Sequence, residues 1–350
     1  MSNEILFFAS FLLFIAAMLA IDLGVFNKKD HVVSLKEAGI MSAVWVLFAL
    51  GFFVILRYYG DRLHDINDFA RLAEVTKSHM HQIKLDASDF AGSLQIYKHN
   101  LSVEFITGYV VEYALSVDNI FVMVLIFSSF GVPPQYYHRV LVWGILGAIV
   151  MRFIFIFLGA ALIARFDWIL YVFGVFLIYT GINMFINRNK EEEIDPKEHK
   201  VVKFASRYFS VYPDFVGHNF THKENGKKYI TPLLLVLLVI EFTDLIFAVD
   251  SIPAIFAVTK DPYIVFFSNI FAILGLRSMF FLLVGIIDKF HYLKVGLAFL
   301  LVFIGGKMLV HHWLESVGFS TAHSLYIIVG ILAVSVIASL LFPKKDEVTA

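Results

Sequence analysis

Apolar and polar residues segregate along this chain into long blocks. Nine apolar runs lie near 5–26, 39–56, 103–130, 140–164, 166–186, 233–258, 263–287, 293–310 and 324–342. Each is long enough to cross a hydrocarbon layer about 30 Å thick, which takes roughly 17–25 residues as a helix. No run alternates with period two, so helices are predicted and barrel strands are not. The shortest runs are 39–56 and 293–310, and one of them could be re-entrant. The pattern predicts an all-α, polytopic membrane protein with about nine transmembrane helices.

Two polar segments break the series. Residues 57–102, with D-R-L-H-D-I-N-D-F-A-R-L-A-E-V, read as a mixed loop that could hold a short amphipathic helix. Residues 187–232, with N-R-N-K-E-E-E-I-D-P-K-E-H-K and K-E-N-G-K-K, read as the main soluble loop. The halves on either side resemble each other. L-S-V-D-N-I-F (115–121) overlays F-A-V-D-S-I-P (247–253), G-I-L-G-A-I-V-M-R (144–152) overlays F-A-I-L-G-L-R (271–277), and L-I-Y-T-G-I-N-M-F (177–185) overlays L-V-F-I-G-G-K-M-L (301–309). Three matches in one order at nearly one offset predict an inverted three-helix repeat, the arrangement typical of secondary transporters with a site at the midplane. The expected organisation is a helix pair over 1–56, an outer polar loop over 57–102, the first repeat over 103–186, a cytoplasmic loop over 187–232, the second repeat over 233–310, and a last helix and tail over 311–350.

Composition agrees with the pattern. Of 350 residues 59% are hydrophobic and only 16% charged, against roughly 25% charged in an average soluble protein. The 38 Phe residues suit a lipid-facing surface. The N-terminus lacks a basic region, so the first run is expected to remain as a spanning helix. Net charge is −1 and no basic tail is present, which argues against nucleic-acid binding. There is no Cys, so disulfides, thiolate metal sites and thiol redox chemistry are excluded together. With nine spans, 17 basic residues fall on the side of the 187–232 loop and eight on the other. The positive-inside rule then places the N-terminus outside, and the central loop and C-terminus in the cytoplasm.

Acids stand where the pattern is most apolar. V-E-Y-A-L-S-V-D-N-I-F carries Glu112 and Asp118, and E-F-T-D-L-I-F-A-V-D-S-I-P carries Glu241, Asp244 and Asp250. A carboxylate at the bilayer centre costs about 2.5–3.5 kcal/mol on insertion scales. Five would cost on the order of 10 kcal/mol, as much as the whole stability of many proteins. They must be protonated, paired, or bound to a cation. Pairing with Arg152, Arg277 and Lys307 is one solution, but five acids against three bases leave a surplus that a divalent cation would balance. On straight helices the acids diverge: Asp250 is about 180° around from Glu241, and Asp118 about 120° from Glu112. A helix broken or kinked near Pro253 would let them converge; two separate acidic sites are the alternative. The neighbouring donors are oxygens, from Ser116, Asn119, Thr243 and Ser251, which suits Mg, Ca or Mn over Zn or Cu. Buried carboxylates can also exchange protons for metal.

Softer features complete the reading. Asp22 could line an inner vestibule or lie in the interface. Lys307 could reach the acids when a metal leaves, or snorkel. Glycines 147, 159, 181, 275, 285, 305 and 306 are expected to allow close helix packing. His311 and His312 are expected to be a solvated pair, and the other loop histidines show no ligand spacing.

The two acidic motifs resemble the signature segments of the TerC family of integral membrane proteins. F-I-T-G-Y ahead of the first is most similar to the family's Alx branch, and A-I-D-L-G-V-F near the N-terminus also matches. The resemblance implies manganese(II) export and a place in the LysE-type exporter superfamily. It implies a metal site at Glu112, Asp118, Asn119, Glu241, Asp244, Asp250 and Ser251, with Mn2+ as transported ion and no catalytic cofactor. The function expected is a proton-coupled secondary transporter in the inner (cytoplasmic) membrane and not an enzyme. Its partners would be the lipid bilayer, a divalent cation (Mn2+ ahead of Ca2+ or Mg2+) and protons. The 57–102 segment looks longer than in the family and could dock a protein partner, making the chain a supplier of metal to exported enzymes. An intramembrane aspartyl protease with Asp118 and Asp250 as its dyad is the enzymatic alternative; its Y-D and G-x-G-D motifs are absent.

Overall fold

A computed structural model describes residues 3–26, 33–166, 168–188, 195–196, 198–284, 290 and 292–342. All nine apolar runs fall on helices: α1 (Asn3–Phe26), α2 (Leu35–Tyr59), then, after the short α3 (Phe69–Ser78), α4 (Phe90–Ser129), α5 (Tyr137–Arg165) and α6 (Ile169–Ile186). The central segment holds α7 (Lys200–Tyr208) and a hairpin of β1 (Thr221–Glu224) and β2 (Lys227–Ile230). It is followed by α8 (Pro232–Phe256), α9 (Pro262–Val284), α10 (Leu293–Leu309), the short α11 (His311–Ser316) and α12 (Thr321–Leu341). Among the described residues seven helices are long and apolar enough to cross a membrane. The other two expected spans are shorter, with an apolar stretch of Ile5–Ala20 in α1 and 17 residues in α10. The chain is an all-α integral membrane protein apart from the hairpin.

Local chemistry explains where the boundaries moved. Asp89 caps α4, its carboxylate accepting from Gly92 N at 2.8 Å. The helix therefore starts at Phe90, well before the apolar run at 103. Its 40 residues span about 60 Å, roughly twice the hydrocarbon thickness, so the first turns stand outside it. Asp68 caps α3 in the same way, through Arg71 N at 2.7 Å. The hairpin, not foreseen from the pattern, turns on Asn225 and Gly226, both with positive φ (50° and 78°). That is the Asn-Gly signature of a tight two-residue turn.

The core is built around α9, which is buried on nearly every side and packs against α2, α4 and α5. Many of the phenylalanines lie here and not towards lipid. Phe11, Phe52, Phe105, Phe267 and Phe271 are buried against one another, with Phe11 and Phe267 ring centres 4.3 Å apart. Aromatic edges and faces fill the space between helices where lipid gives no hydrophobic drive for association.

α6 and α10 form the most intimate helix pair. A Cβ at Gly181 would stand 2.7 Å from Ala298 O, and one at Gly305 would meet Gly174 O. These contacts are related by the 124-residue offset between the two halves. Gly159 makes room for Phe256, whereas Gly306 faces open space and has no packing role. Gly285 lies outside the described residues.

The segment between α2 and α4 is fastened down by buried polar pairs. His64 Nε2 meets Asp261 Oδ2 at 2.7 Å, and His81 Nδ1 meets Glu104 Oε1 at 3.0 Å. Glu104 also accepts from Asn100 and Thr259, each at 2.6 Å. His311 is half-buried and accepts from Lys260 Nζ at 2.9 Å, so it is not the solvated group expected. The His312 side chain lies outside the described residues.

Candidate functional site

Four helices converge on one arginine. Arg152, from α5, is fully buried. Its Nη1 donates to Glu112 Oε1 on α4 and to Asn269 Oδ1 on α9. Its Nη2 donates to Asp244 Oδ1 on α8 at 3.3 Å. Asn269 closes the ring by donating to Glu112 Oε2 at 3.5 Å. Glu112 and Asp244 are the positions that the repeat alignment superposes, so the two halves each send one carboxylate to the same cation. Ser251 lies beside Glu112 without a well-aligned hydrogen bond.

This arrangement leaves donor capacity unused. Asp244 Oδ2 is buried without a hydrogen-bond partner, as are Ser116 Oγ and Asn119 Nδ2. Asp244 borders a cavity of about 10 Å³ lined by Met123, Gly144, Ala148, Ile240 and Ile273, room for no more than about one water molecule. Glu241 lies one turn before Asp244, close enough to repel it. Its carboxylate rests against α5 where Gly147 has no side chain; a Cβ there would collide with it.

The five acids do not meet at one point. α8 runs unbroken through Asp250 and Pro253 to Phe256, so the break expected near Pro253 is not formed. Helical geometry then turns Asp250 away from Asp244 by about 120°, and it accepts from Thr180 Oγ1 on α6 at 3.3 Å. Asp118, six residues beyond Glu112, is half-buried and is not a partner of Arg152. Among the described residues, no three of these acids hold their oxygens close enough to chelate one ion in this conformation.

The basic residues also part company. Arg152 is paired as the ion-pair alternative required. Arg277, its counterpart in the repeat alignment, donates instead to His138 Nε2 at 2.9 Å. Lys307 donates to Ala257 O at 3.1 Å and lies near Glu104 and Lys260, away from Glu112 and Asp244. The Asp22 side chain lies outside the described residues. Asn269 and Thr180, which complete the two acidic sites, carried no signal in the sequence beyond being polar residues inside apolar runs.

Comparison with known proteins agrees with this framework. No solved structure matches the chain. An "Uncharacterized membrane protein STKORF319" from Myxococcus xanthus is 48% identical over 333 residues, covering 95% of this chain and 91% of that protein. Proteins named "Putative membrane-bound redox modulator Alx" are 41% identical in Salmonella typhi, over 333 residues, and in Escherichia coli (strain K12), over 335 residues. Each covers 95% of this chain and 93% of the relative. The profile described as "Integral membrane protein TerC family" matches residues 97–347, which include Glu112, Asp118, Glu241, Asp244 and Asp250. The chain is a multi-pass integral membrane protein and belongs to the TerC family.

Proposed function

We propose that the chain is a secondary transporter that exports manganese(II) across the cytoplasmic membrane, in exchange for protons. The observation that carries this reading is the buried Asp244 carboxylate, with one oxygen unpartnered, facing Glu112 and Arg152 deep among spanning helices. Glu112 and Asp244 pair with Arg152 and Glu241 lies beside Asp244, so the three acids carry two negative charges more than the one arginine when all are ionised. One divalent cation, or two protons, would cancel that excess, and this exchange is the proposed coupling. Breaking a buried ion pair is costly unless a new partner arrives. Arg152 would therefore hold the acids between cycles, and an entering ion would displace it.

Oxygen donors select hard divalent cations. The choice of manganese among these rests on the family resemblance. The seam between α6 and α10, whose two glycine contacts are related by the repeat offset, supports the reading that two inverted repeats rock about the site. The narrow cavity beside Asp244 fits a closed conformation in which the ion pathway is shut. Asp118 and Asp250, the second repeat-related pair, would meet the ion elsewhere along that pathway.

Supply of metal to exported enzymes is a compatible second role. The chain has no Cys, so a redox effect like that in the relatives' names would have to run through metal and not through its own thiols. The decisive experiment measures manganese, calcium and magnesium by mass spectrometry in cells lacking their own exporter. The wild-type chain is expected to lower manganese alone. Glu112→Gln, Asp244→Asn, Asp118→Asn and Asp250→Asn, at equal membrane levels, are expected not to. Unchanged manganese with a folded, inserted wild-type protein would overturn the reading.

A further inference from the structure

The tie between the 60–89 segment and the membrane helices contains more chemistry than a tie requires. His64 and Asp261 already form a short buried pair. A second imidazole, His79, lies against the first at a tilt of 33°, with ring centres 4.8 Å apart. Donor atoms of His64, His79 and Asp261 all lie within 4.8 Å of one another. The His79 ring makes no hydrogen bond among the described residues, so hydrogen bonding does not explain its position.

We infer that His64, His79 and Asp261 form a binding site for one first-row divalent transition-metal ion, outside the membrane core and distinct from the Arg152 cluster. Two imidazoles and one carboxylate make a donor set that such ions accept and that leaves a position open for water. Bonds of about 2.0–2.2 Å to a tetrahedral ion place neighbouring donors about 3.3–3.6 Å apart. His64 Nε2 and Asp261 Oδ2 would open slightly from 2.7 Å, and His79 would close in. The surroundings are already set for this. Asp261 Oδ1 accepts from Tyr263 N at 2.9 Å, which fixes the carboxylate. Such supporting bonds orient the ligands of known metal sites. His81 lies next to His79, ring centres 5.9 Å apart, with its Nε2 buried and without a hydrogen-bond partner. Glu104, within electrostatic reach of His79, supplies further negative charge.

Along α4 the supporting Glu104 is eight residues, about 12 Å, from Glu112. The site does not depend on the transport reading. The sequence offered only H-M-H at 79–81 and an isolated H-D at 64–65 and D-P at 261–262. Nothing in those spacings joins them, because the fold brings together residues nearly 200 positions apart.

The test is titration of the chelator-treated, detergent-solubilised full-length protein with Co2+, followed by visible absorption. The wild type is expected to bind one equivalent with a nitrogen-ligated band, and His79→Ala to bind at least about tenfold more weakly. The band is expected to persist in Asp244→Asn, which separates this site from the transport acids. Metal-free His79→Ala is expected to stay folded, with a cooperative melting curve, because its ring makes no hydrogen bond among the described residues. A wild type without the band, or a His79→Ala variant that binds equally well, would overturn the assignment. Should that variant not fold, carbethoxylation of His79 in the wild type gives the answer by mass spectrometry. Protection by Zn2+ is expected, and equal modification with and without Zn2+ would overturn the site.

Discussion

Arg152 holds two carboxylates that lie 132 positions apart in the chain. Removing it leaves Glu112 and Asp244 buried and uncompensated, which costs about 3–5 kcal/mol in known cases. Arg152→Ala is accordingly expected to lower the melting temperature in detergent sharply, and the Arg152→Met, Glu112→Gln double variant to recover part of the loss. Equal damage in both would mean that the pair is not what Arg152 satisfies. Gly147 provides a finer probe. An added Cβ collides with the Glu241 carboxylate, whereas one at Gly144 finds ordinary contact with Ile240 at 3.5 Å. Gly147→Ala should therefore impair manganese export several-fold while Gly144→Ala does not. Comparable export by the two variants would remove Glu241 from the site.

Helix pairs carry the next level of the argument. α6 and α10 touch through glycines, so added side chains must push the backbones apart. Overpacking of this kind costs typically about 1–3 kcal/mol. Gly181→Leu and Gly305→Leu are expected to destabilise by at least that much in thermal unfolding. Gly306→Leu, one residue away and facing open space, should be near neutral. Similar losses at 305 and 306 would show that backbone freedom matters here and not contact. For α4, the long extension beyond the membrane depends on its start signal. Loss of the Asp89 cap in Asp89→Ala should cost about 1 kcal/mol.

The whole molecule has two ends of different chemistry. Orientation is testable without background because the chain has no Cys. Single substitutions Lys223→Cys, in the exposed hairpin, and Ser88→Cys, in the exposed loop before α4, should respond oppositely to an impermeant maleimide. Only Ser88→Cys is expected to label in intact cells; the reverse would invert the topology. The His-rich end should also answer to pH. Burial disfavours the charged form of His81, but the Glu104 carboxylate outweighs this and raises its pKa above the ordinary value. A raised folded-state value stabilises fully below the unfolded value of about 6.5 and is lost as pH climbs through the folded one. Asp261 works the opposite way. Burial raises its pKa, His64 more than reverses this, and the net depression gives stability that is lost only in acid. The melting-temperature advantage of wild type over His81→Gln should thus shrink as pH rises above about 6.5. A constant difference would leave the His81–Glu104 pair without a role in stability.

Length and hydropathy by themselves determined the all-α membrane class, the position of every long helix and the acids worth asking about. These properties are local: a run either can or cannot cross a hydrocarbon layer, and a charge inside one stands out. The two signature motifs likewise carried the family, since they are contiguous. What only the tertiary structure decided is which partner each acid takes. Glu112 and Asp244 meet at Arg152 because four helices cross there, while the unbroken turn of α8 sends Asp250 to Thr180. The break expected near Pro253 is not formed, because a proline near a helix end can be carried within it when its neighbours still pack. The early start of α4 was hidden because the segment after Asp89 is too polar for hydropathy to register, though its cap is in plain view. The His64, His79 and Asp261 grouping was invisible for a different reason. Its members belong to three separate segments, and only the folding of the 60–89 stretch onto α4 and α9 sets their donor atoms side by side.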